Sequence, residues 1–406
     1  MNDLISNLLI CDLAATFKDE DAVAKPSAYW SAFLSKGSHL WMDTGDIAQA
    51  LALWSSEFSA LTTNNTLLNK EVQKGDYDHL FVPLAEAAKH LDREAQVREI
   101  AFAINAIHGL RLVHIFGSKV SVELHTDYAH DVEGTYQGGM RLHKVCPSHF
   151  IVKVPFTAAG LIAARRLHEA GVPVNLTLGF SVRQNVIASL VARPAYCNVF
   201  VGRIGAYFEN NKLGDGGTIG EKITRETQLC MRKVNDRGYA TTRLIAASIR
   251  TVEQLLTLSG CDVLTVPSVV VKAAAEECKQ PNVQLTQSND LGPDKDLTKR
   301  FNLKHLWQIH NREKEVALHA HKKVPDSPAN LIDMFHHYGC HDIFPVLSAN
   351  EHAFLRQDGK IPVHSRWADK MEQYQVGIDS LLNMAGLYAF MEDQMQLDAK
   401  IREALS

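Results

Sequence analysis

The sequence predicts an α/β protein, most simply a closed (β/α)8 barrel with additions at both ends. Short apolar runs alternate with longer segments of helical period, as they do in parallel α/β folds. The strand candidates are hydrophobic almost throughout, which is typical of strands buried on both faces. A chain of 406 residues also suits a barrel of about 250 residues with additions. An open doubly wound sheet produces a similar pattern, and periodicity alone does not separate the two.

Eight strand candidates follow one another, with helical segments between them. The clearest helix begins after Thr157, a suitable N-cap, and ends near Gly171 and Pro173. The strands are expected at residues 39–43, 60–64, 120–124, 149–155, 174–180, 197–203, 242–248 and 263–268.

The chain is expected to form a single domain in four parts. Residues 1–36 are predicted to be lead-in helices, and residues 37–279 the barrel. Residues 280–368 contain many prolines, charges and histidines, and we interpret them as a late insertion that acts as a lid or an oligomer contact. Residues 369–406 have the period of a long C-terminal helix that packs on the barrel.

Composition excludes several classes of function. A net charge of −4 argues against a nucleic-acid partner. The seven cysteines are scattered and never form C-x-x-C, which favours free thiols over disulfides or a zinc site. No basic signal region and no run of eighteen apolar residues is seen, so no membrane partner is expected and a cytoplasmic location is predicted.

Lys153 is the most informative candidate for chemistry. It lies in the apolar run FIVKVPF, near the carboxyl end of a predicted strand, where barrel enzymes place their active sites. An unpaired ammonium is costly there, and desolvation favours the neutral amine, which attacks a ketone to form an imine. The alternative is a lysine that reaches solvent or pairs with a carboxylate.

Two acids stand at neighbouring strand ends. Asp43, in MDTGD, is a candidate base for breaking a carbon–carbon bond, although a cap or turn is the simpler explanation of this residue alone. Glu123, in VSVEL, is a candidate for positioning a water during imine formation. A structural salt bridge, for example with Lys153, explains Glu123 equally well.

Further polar residues at strand ends suit a sugar phosphate. Asn64, Asn175 and Thr177 offer amide and hydroxyl groups for sugar hydroxyls and water, or for internal hydrogen bonds. Ser248 and Arg250 precede a candidate helix and form a candidate phosphate site, although an isolated S-x-R is a weak signal.

Other features carry no prediction of chemistry. The glycine-rich run 214–220 lacks the lysine and hydroxyl of a phosphate loop and is interpreted as a connection. The cluster of His336, His337, Cys340 and His341 is interpreted as solvated or core-edge histidines, so no metal site is predicted.

Taken together, these strings resemble the transaldolase family at ordered points between about residues 40 and 270. They are MDTGD, LTTNNTLL, SVEL, FIVKVPFTAAGLIAARRLHEAGVPVNLTLGFS, FVGRIGAY and AASIRTVEQLLTLSGCDVLTV, with the terminal helix LYAFMEDQMQLDAKI also similar. The resemblance implies a TIM barrel. It also implies transfer of a dihydroxyacetone unit from a ketose phosphate donor to an aldose phosphate acceptor through a Schiff base on Lys153, in carbohydrate metabolism of the pentose phosphate type.

The resemblance assigns roles to matching positions. Asp43 would be the base for carbon–carbon cleavage, and Glu123 with Thr177 would position water. Asn64 and Asn175 would bind donor hydroxyls and the Schiff base.

The remaining positions would bind substrate, and phosphate would be held by Arg203, Ser248 and Arg250. Phe200 and Asn198 complete the substrate-binding set. The resemblance implies sugar phosphate substrates, no metal or organic cofactor, and a homodimer as one form of assembly.

The chain departs from the family pattern at three places. Asn65 replaces the proline of T-T-N-P, Gly179 replaces a leucine, and Cys197-Asn198-Val199 replaces the usual Ser-Pro before F-V-G-R. A specialised transaldolase acting on a modified sugar therefore remains one hypothesis.

Two further functions stay open. An enzyme like fructose-6-phosphate aldolase would cleave or join dihydroxyacetone without transfer, but that subgroup usually has tyrosine in place of Phe200 and glutamine in place of Glu123. The second alternative function is that of a catalytically silent barrel that senses sugar phosphates. The retained acid, base and nucleophile argue against this alternative.

Overall fold

The structure, a computed structural model, describes residues 4–277, 291–293 and 295–405. Eight parallel strands close into a barrel in sequential order, which confirms the predicted (β/α)8 TIM barrel and rules out the open sheet. The strands are β1 (His39–Asp43), β2 (Phe58–Thr62), β3 (Lys119–Glu123), β4 (Phe150–Pro155), β5 (Val174–Thr177), β6 (Tyr196–Phe200), β7 (Arg243–Ala247) and β8 (Val263–Pro267).

Helices surround the barrel and extend it at both ends. Those up to the end of the barrel are α1 (Asn7–Ala14), α2 (Ala28–Ser35), α3 (Ile47–Leu53), α4 (Asn65–Gln73), α5 (Asp78–Ala87), α6 (Arg93–Phe116), α7 (Val132–Val145), α8 (Ala158–Glu169), α9 (Val182–Val191), α10 (Val201–Asn210), α11 (Ile219–Asp236), α12 (Val252–Thr257) and α13 (Ser268–Glu277). Those after it are α14 (Lys295–Arg300), α15 (Lys304–Trp307), α16 (Asn311–Lys322), α17 (Pro328–His337), α18 (Ala349–Asp358), α19 (Ala368–Glu372) and α20 (Ile378–Ala404).

Each predicted strand has an observed counterpart, and the differences lie at the ends. Arg203, predicted to end the sixth strand, lies in the first turn of α10, because β6 ends at Phe200. Asn64 caps α4 instead of ending β2, and its Oδ1 accepts a hydrogen bond from Leu67 N at 2.9 Å. β5 ends early because the next residue, Leu178, has a φ of 67°, which an extended strand cannot include.

Helix caps predicted from the sequence are present. Thr157 Oγ1 accepts a hydrogen bond from Gly160 N at 2.8 Å and starts α8.

The glycine-rich run 214–220 connects α10 to α11. A side chain on Gly216 would collide with the backbone of Gly205, so close approach of two chain segments explains a glycine there.

The segments outside the barrel differ from the prediction in part. The lead-in helices are α1 and α2, as expected. The predicted C-terminal helix from residue 369 is broken between α19 and α20, where Tyr374 has a φ of 55°. Residues 280–290 and 294 of the expected insertion, and Cys278, lie outside the described residues. The other six cysteines are free thiols.

The late helices pack on the barrel wall. α16 contacts α9, α17 contacts α8, and α20 lies along α4 and α6. A buried ion network fixes this arrangement. Arg183 of α9 binds both carboxylate oxygens of Asp379 at 2.8 and 2.7 Å, and it also pairs with Asp342 at 2.5 Å and Glu313 at 3.2 Å. Three chain segments that are far apart in sequence therefore meet at one guanidinium.

One described helix, α6, is long and apolar enough to cross a membrane by length and composition. The sequence has no run of eighteen apolar residues, and α6 shows that a helix with a few polar residues can still be apolar enough. In the structure, 67% of the most apolar window of α6 is buried, and α6 packs against β3, α1 and α20. A core helix of this kind has the same composition as a membrane span.

Candidate active site

Lys153 lies in the barrel wall with its amine inside the fold. It occupies β4, where its backbone pairs with Glu123 of β3 and Asn175 of β5. Its Nζ lies 3.3 Å from Glu123 Oε2 and 3.2 Å from the carbonyl oxygen of Thr63. The side chain is 7% exposed, so it does not reach bulk solvent. The sequence left open whether Lys153 reaches solvent or pairs with a carboxylate. The structure shows a buried amine that is paired with a carboxylate.

The two predicted acids are both electrostatically coupled to this amine. Burial raises the pKa of Glu123, and the charge of Lys153 opposes that shift. Burial likewise raises the pKa of Asp43, opposed by Lys153 and by a hydrogen bond from Thr62 Oγ1 at 2.9 Å. A carboxyl whose pKa is raised toward neutrality can both accept and return a proton, so these groups suit general acid–base chemistry.

A chain of amide side chains crosses β5 and β6. Asn175 Nδ2 donates to Ser121 Oγ at 3.1 Å, and Asn198 Nδ2 donates to Asn175 Oδ1 at 3.4 Å. Asn198 Oδ1 in turn accepts from Gly179 N at 3.4 Å. A side chain on Gly179 would collide with the backbone oxygen of Asn198. Two of the departures from the family pattern, at residues 179 and 198, therefore touch each other.

Thr177 is fully buried at the end of β5. Its Oγ1 has no hydrogen-bond partner among the residues that the structure describes. A buried hydroxyl in this state needs a water or a ligand atom. The predicted role of Thr177 in holding a water therefore stays a prediction, and Thr177 does not line the cavity that contains Lys153.

Three predicted phosphate residues converge after β6 and β7. Arg203 is buried, and its Nη1 has no hydrogen-bond partner within the described part of the chain. Burial, and then the charge of Arg250, lower the pKa of Arg203 to about 10, so its guanidinium stays cationic at neutral pH. Ser248 has a φ of 58°, in the left-handed region.

Gly202 allows these groups to approach. A Cβ at this position would lie 2.5 Å from Arg250 Nε and 2.6 Å from the carbonyl oxygen of Ser248. The amide of Gly202 also donates to that same carbonyl at 3.1 Å. The lack of a side chain at residue 202 thus lets α10 lie directly against the loop after β7, which brings Arg203 and Arg250 to one side of the cavity.

Two cavities matter for the predicted site residues, one of about 450 Å³ and a smaller one of about 310 Å³. The smaller cavity brings together nine of the eleven predicted residues, namely Asp43, Asn64, Lys153, Asn175, Asn198, Phe200, Arg203, Ser248 and Arg250. Glu123 and Thr177 do not line it. The larger cavity lies over the Arg183 network and is not lined by any of the eleven.

The smaller cavity has lining residues that the sequence did not point to. Phe390 of α20 covers the amine, with its ring centroid 5.5 Å from Lys153 Nζ and 5.9 Å from the Arg203 guanidinium carbon. Lys360 lines the mouth. Phe390 stands in a helix whose period predicted packing only. Lys360 lies in the segment 280–368, which was interpreted as a lid or an oligomer contact without assigning any of its residues to the site.

Comparison with known proteins identifies a family for this chain. Residues 40–322 match the transaldolase/fructose-6-phosphate aldolase family. The match continues past residue 279, so the described residues up to 322 lie within it, although we expected an insertion there.

Two relatives are named transaldolase. The chain is 30% identical over 230 residues to one from Xanthomonas euvesicatoria pv. vesicatoria (strain 85-10), which covers 54% of this chain and 71% of the relative. It is 27% identical over 272 residues to one from Protochlamydia amoebophila (strain UWE25), which covers 61% of this chain and 82% of the relative. Because the family match spans well over half of the sequence, this chain belongs to the transaldolase/fructose-6-phosphate aldolase family.

Proposed function

We propose that this chain is a transaldolase, which moves a dihydroxyacetone unit from a ketose phosphate to an aldose phosphate through a Schiff base on Lys153. The observation that carries the proposal is the buried amine of Lys153. It lines a cavity of about 310 Å³ together with Asp43, and its Nζ lies 3.3 Å from Glu123 Oε2. An amine beside a carboxyl of raised pKa is equipped to form and hydrolyse an imine.

Imine formation needs a neutral amine and a route for protons. Lys153 Nζ would attack the ketone carbon and lose a proton, and the resulting hydroxyl would leave as water to give the iminium. Glu123 lies 3.3 Å from Nζ and would exchange these protons through a water. The hydroxyl of Thr177, which has no hydrogen-bond partner among the described residues, would help to hold that water.

Cleavage of the carbon–carbon bond then needs a base for a hydroxyl of the bound sugar. Asp43 would take the proton from the hydroxyl next to the scissile bond. The electrons of that carbon–carbon bond would move into the iminium, leaving an enamine on Lys153 and a free aldose. An incoming aldose phosphate would react with the enamine in the reverse sense, and water would release the new ketose.

The rest of the cavity suits binding and protection. Asn64, Asn175 and Asn198 line it and would bind donor hydroxyls. Arg203, Ser248 and Arg250 would hold the phosphate. Phe390 covers the amine, and exclusion of water by an apolar ring would protect the enamine intermediate.

Reductive trapping tests the proposal. Incubation with fructose 6-phosphate and borohydride should add a three-carbon unit irreversibly to the peptide that contains Lys153, seen by mass spectrometry. Lys119→Ala, at an exposed position of β3, is the control and should be labelled like the wild type. Equal labelling of Lys153→Ala would show that the nucleophile is elsewhere.

Acceptor dependence separates transfer from simple aldol cleavage. With fructose 6-phosphate as donor, release of glyceraldehyde 3-phosphate should depend on the concentration of an added acceptor such as erythrose 4-phosphate. Release at the same rate without acceptor would instead support a fructose-6-phosphate-aldolase-like enzyme.

A further inference from the structure

Lys360 brings an additional positive charge to the active-site cavity. It lies between α18 and the short helical turn His364–Arg366, beyond residue 322 where the family match ends. Its side chain is exposed at the rim and lines the cavity together with Arg203 and Arg250. The late part of the chain therefore contributes directly to a site whose predicted residues all come from the barrel.

The loop that carries Lys360 is attached to α10. Asn211, directly after α10, donates from Nδ2 to the carbonyl of Pro362 at 3.0 Å and accepts from His364 N at 2.8 Å. The hydroxyl of Tyr207 lies 2.7 Å from His364 Nδ1. Because α10 also holds Arg203 in its first turn, one helix sets the positions of both cations.

The charged ends of the three cations lack protein partners. Within the described residues, Lys360 Nζ and the guanidinium groups of Arg203 and Arg250 form no hydrogen bond or ion pair. Acidic charges do act on these cations: Asp393 acts on Lys360 and Arg203, Glu123 on Arg203, and Glu209 on Arg250. None of them forms an ion pair with the cations within the described residues, and the carboxylate of Asp393 already accepts a hydrogen bond from Thr66. Cations that are held close together without direct ion-pair partners form a binding site for an anion.

We infer that Lys360 is a specificity-determining residue that binds the anionic end of the substrate and makes this site selective for a dianionic phosphate monoester. The inference rests on the proposed binding of a sugar phosphate in this cavity. A phosphate monoester carries between about one and a half and two negative charges at neutral pH, and its three oxygens can accept bonds from several cations. A sulfonate has one charge, and a neutral sugar end has none.

Direct binding of glycerol 3-phosphate tests the inference, because this compound has no ketone and cannot form a Schiff base. Isothermal titration calorimetry at pH 8 should show that Lys360→Gln binds it about tenfold or more weakly than the wild type, as expected for the loss of one charge-assisted bond. Lys360→Arg should bind nearly as well as the wild type. Lys70→Gln is the matched control, since Lys70 is an exposed neighbour that acts on Lys360 but does not line the cavity.

Selectivity provides the second measurement. The ratio of affinities for glycerol 3-phosphate and its sulfonate analogue should fall in Lys360→Gln and stay unchanged in Lys70→Gln. Equal affinity of Lys360→Gln and wild type for the phosphate would overturn the inference, as would a wild type that does not bind it. These results do not depend on turnover, so absence of trapping at Lys153 with intact phosphate selectivity would contradict the proposed reaction alone.

Discussion

Lys153 and Glu123 occupy paired positions on adjacent parallel strands, with 3.3 Å between Nζ and Oε2. Residues that pair in register point to the same face of a sheet. The barrel wall itself therefore holds the contact, and no mobile loop is involved. The sequence left a structural salt bridge and a role in proton transfer as alternatives for Glu123, and a contact of this geometry is compatible with both.

Replacing Glu123 by glutamine distinguishes these alternatives. Glutamine keeps the size and can still contact Lys153, but it cannot take up a proton. We expect kcat for transfer to fall by about 10²- to 10⁴-fold, the range for loss of a general acid–base group. The rate of borohydride trapping in single-turnover experiments should fall with it. Glu20→Gln, at an exposed position, serves as the control. A kcat near the wild-type value would leave Glu123 with a purely structural role.

The strands could be predicted because each is apolar along its length, and the errors at their ends have physical causes. Val201 follows Phe200 directly, so the apolar pattern continues past the point where the backbone turns into α10. Asn64 belongs to a run of polar residues suited either to a strand end or to an N-cap, and contacts from the rest of the fold decide between them. Strand ends therefore depend on tertiary geometry that periodicity does not report.

The covering residues could not be predicted for a different reason. Phe390 is separated from Lys153 by more than 200 positions, and a helical period indicates that one face packs without indicating on what. Docking of α20 depends on contacts such as that of Asn383 Nδ2 with the carbonyl of Leu178 at 2.8 Å. Lys360 likewise reaches the cavity through hydrogen bonds of its loop to α10, which no local pattern encodes.

Gly202→Ala should weaken phosphate binding selectively. The added methyl group would lie 2.6 Å from the carbonyl oxygen of Ser248, and backbone cannot move aside as a flexible side chain can. We expect a rise in KM for phosphorylated substrates of about tenfold or more, with a much smaller effect on unphosphorylated dihydroxyacetone. Gly292→Ala, where a Cβ would meet no atom within 4 Å, is the control. Equal effects on both substrates would contradict a phosphate site at this position.

Arg183→Met should destabilise the fold strongly. Removal of the guanidinium leaves Asp379, Asp342 and Glu313 buried without their shared cation. Breaking a buried ion pair in this way typically costs about 3–5 kcal/mol, and urea unfolding followed by circular dichroism would measure it. Arg166→Met is the matched control, because Arg166 pairs with Glu133 at the surface and its loss should cost no more than about 1 kcal/mol. Similar losses in the two variants would show that the buried network does not hold the late segment to the barrel.

Glu221→Gln should change how stability depends on pH. Burial raises the pKa of Glu221 from 4.5 to about 7, so the folded protein holds this proton more tightly than the unfolded chain. The contribution of Glu221 to stability is therefore complete below pH 4.5 and is lost as the pH rises from 4.5 to 7. Glutamine resembles the protonated acid and has no proton to lose.

The free energy of unfolding of the variant should thus match that of the wild type at pH 4.5. Between pH 4.5 and 7 it should become increasingly higher than the wild-type value. Above pH 7 its free energy of unfolding should be higher by up to about 3 kcal/mol. Urea midpoints at pH 4.5, 6 and 8 would measure this difference. Glu253→Gln, at an exposed neighbouring position, should show no such trend. A difference between Glu221→Gln and wild type that stays constant with pH would mean that the pKa of Glu221 is the same in the folded protein and the unfolded chain, because the hydrogen bond with Gln254 offsets the cost of burying the charge.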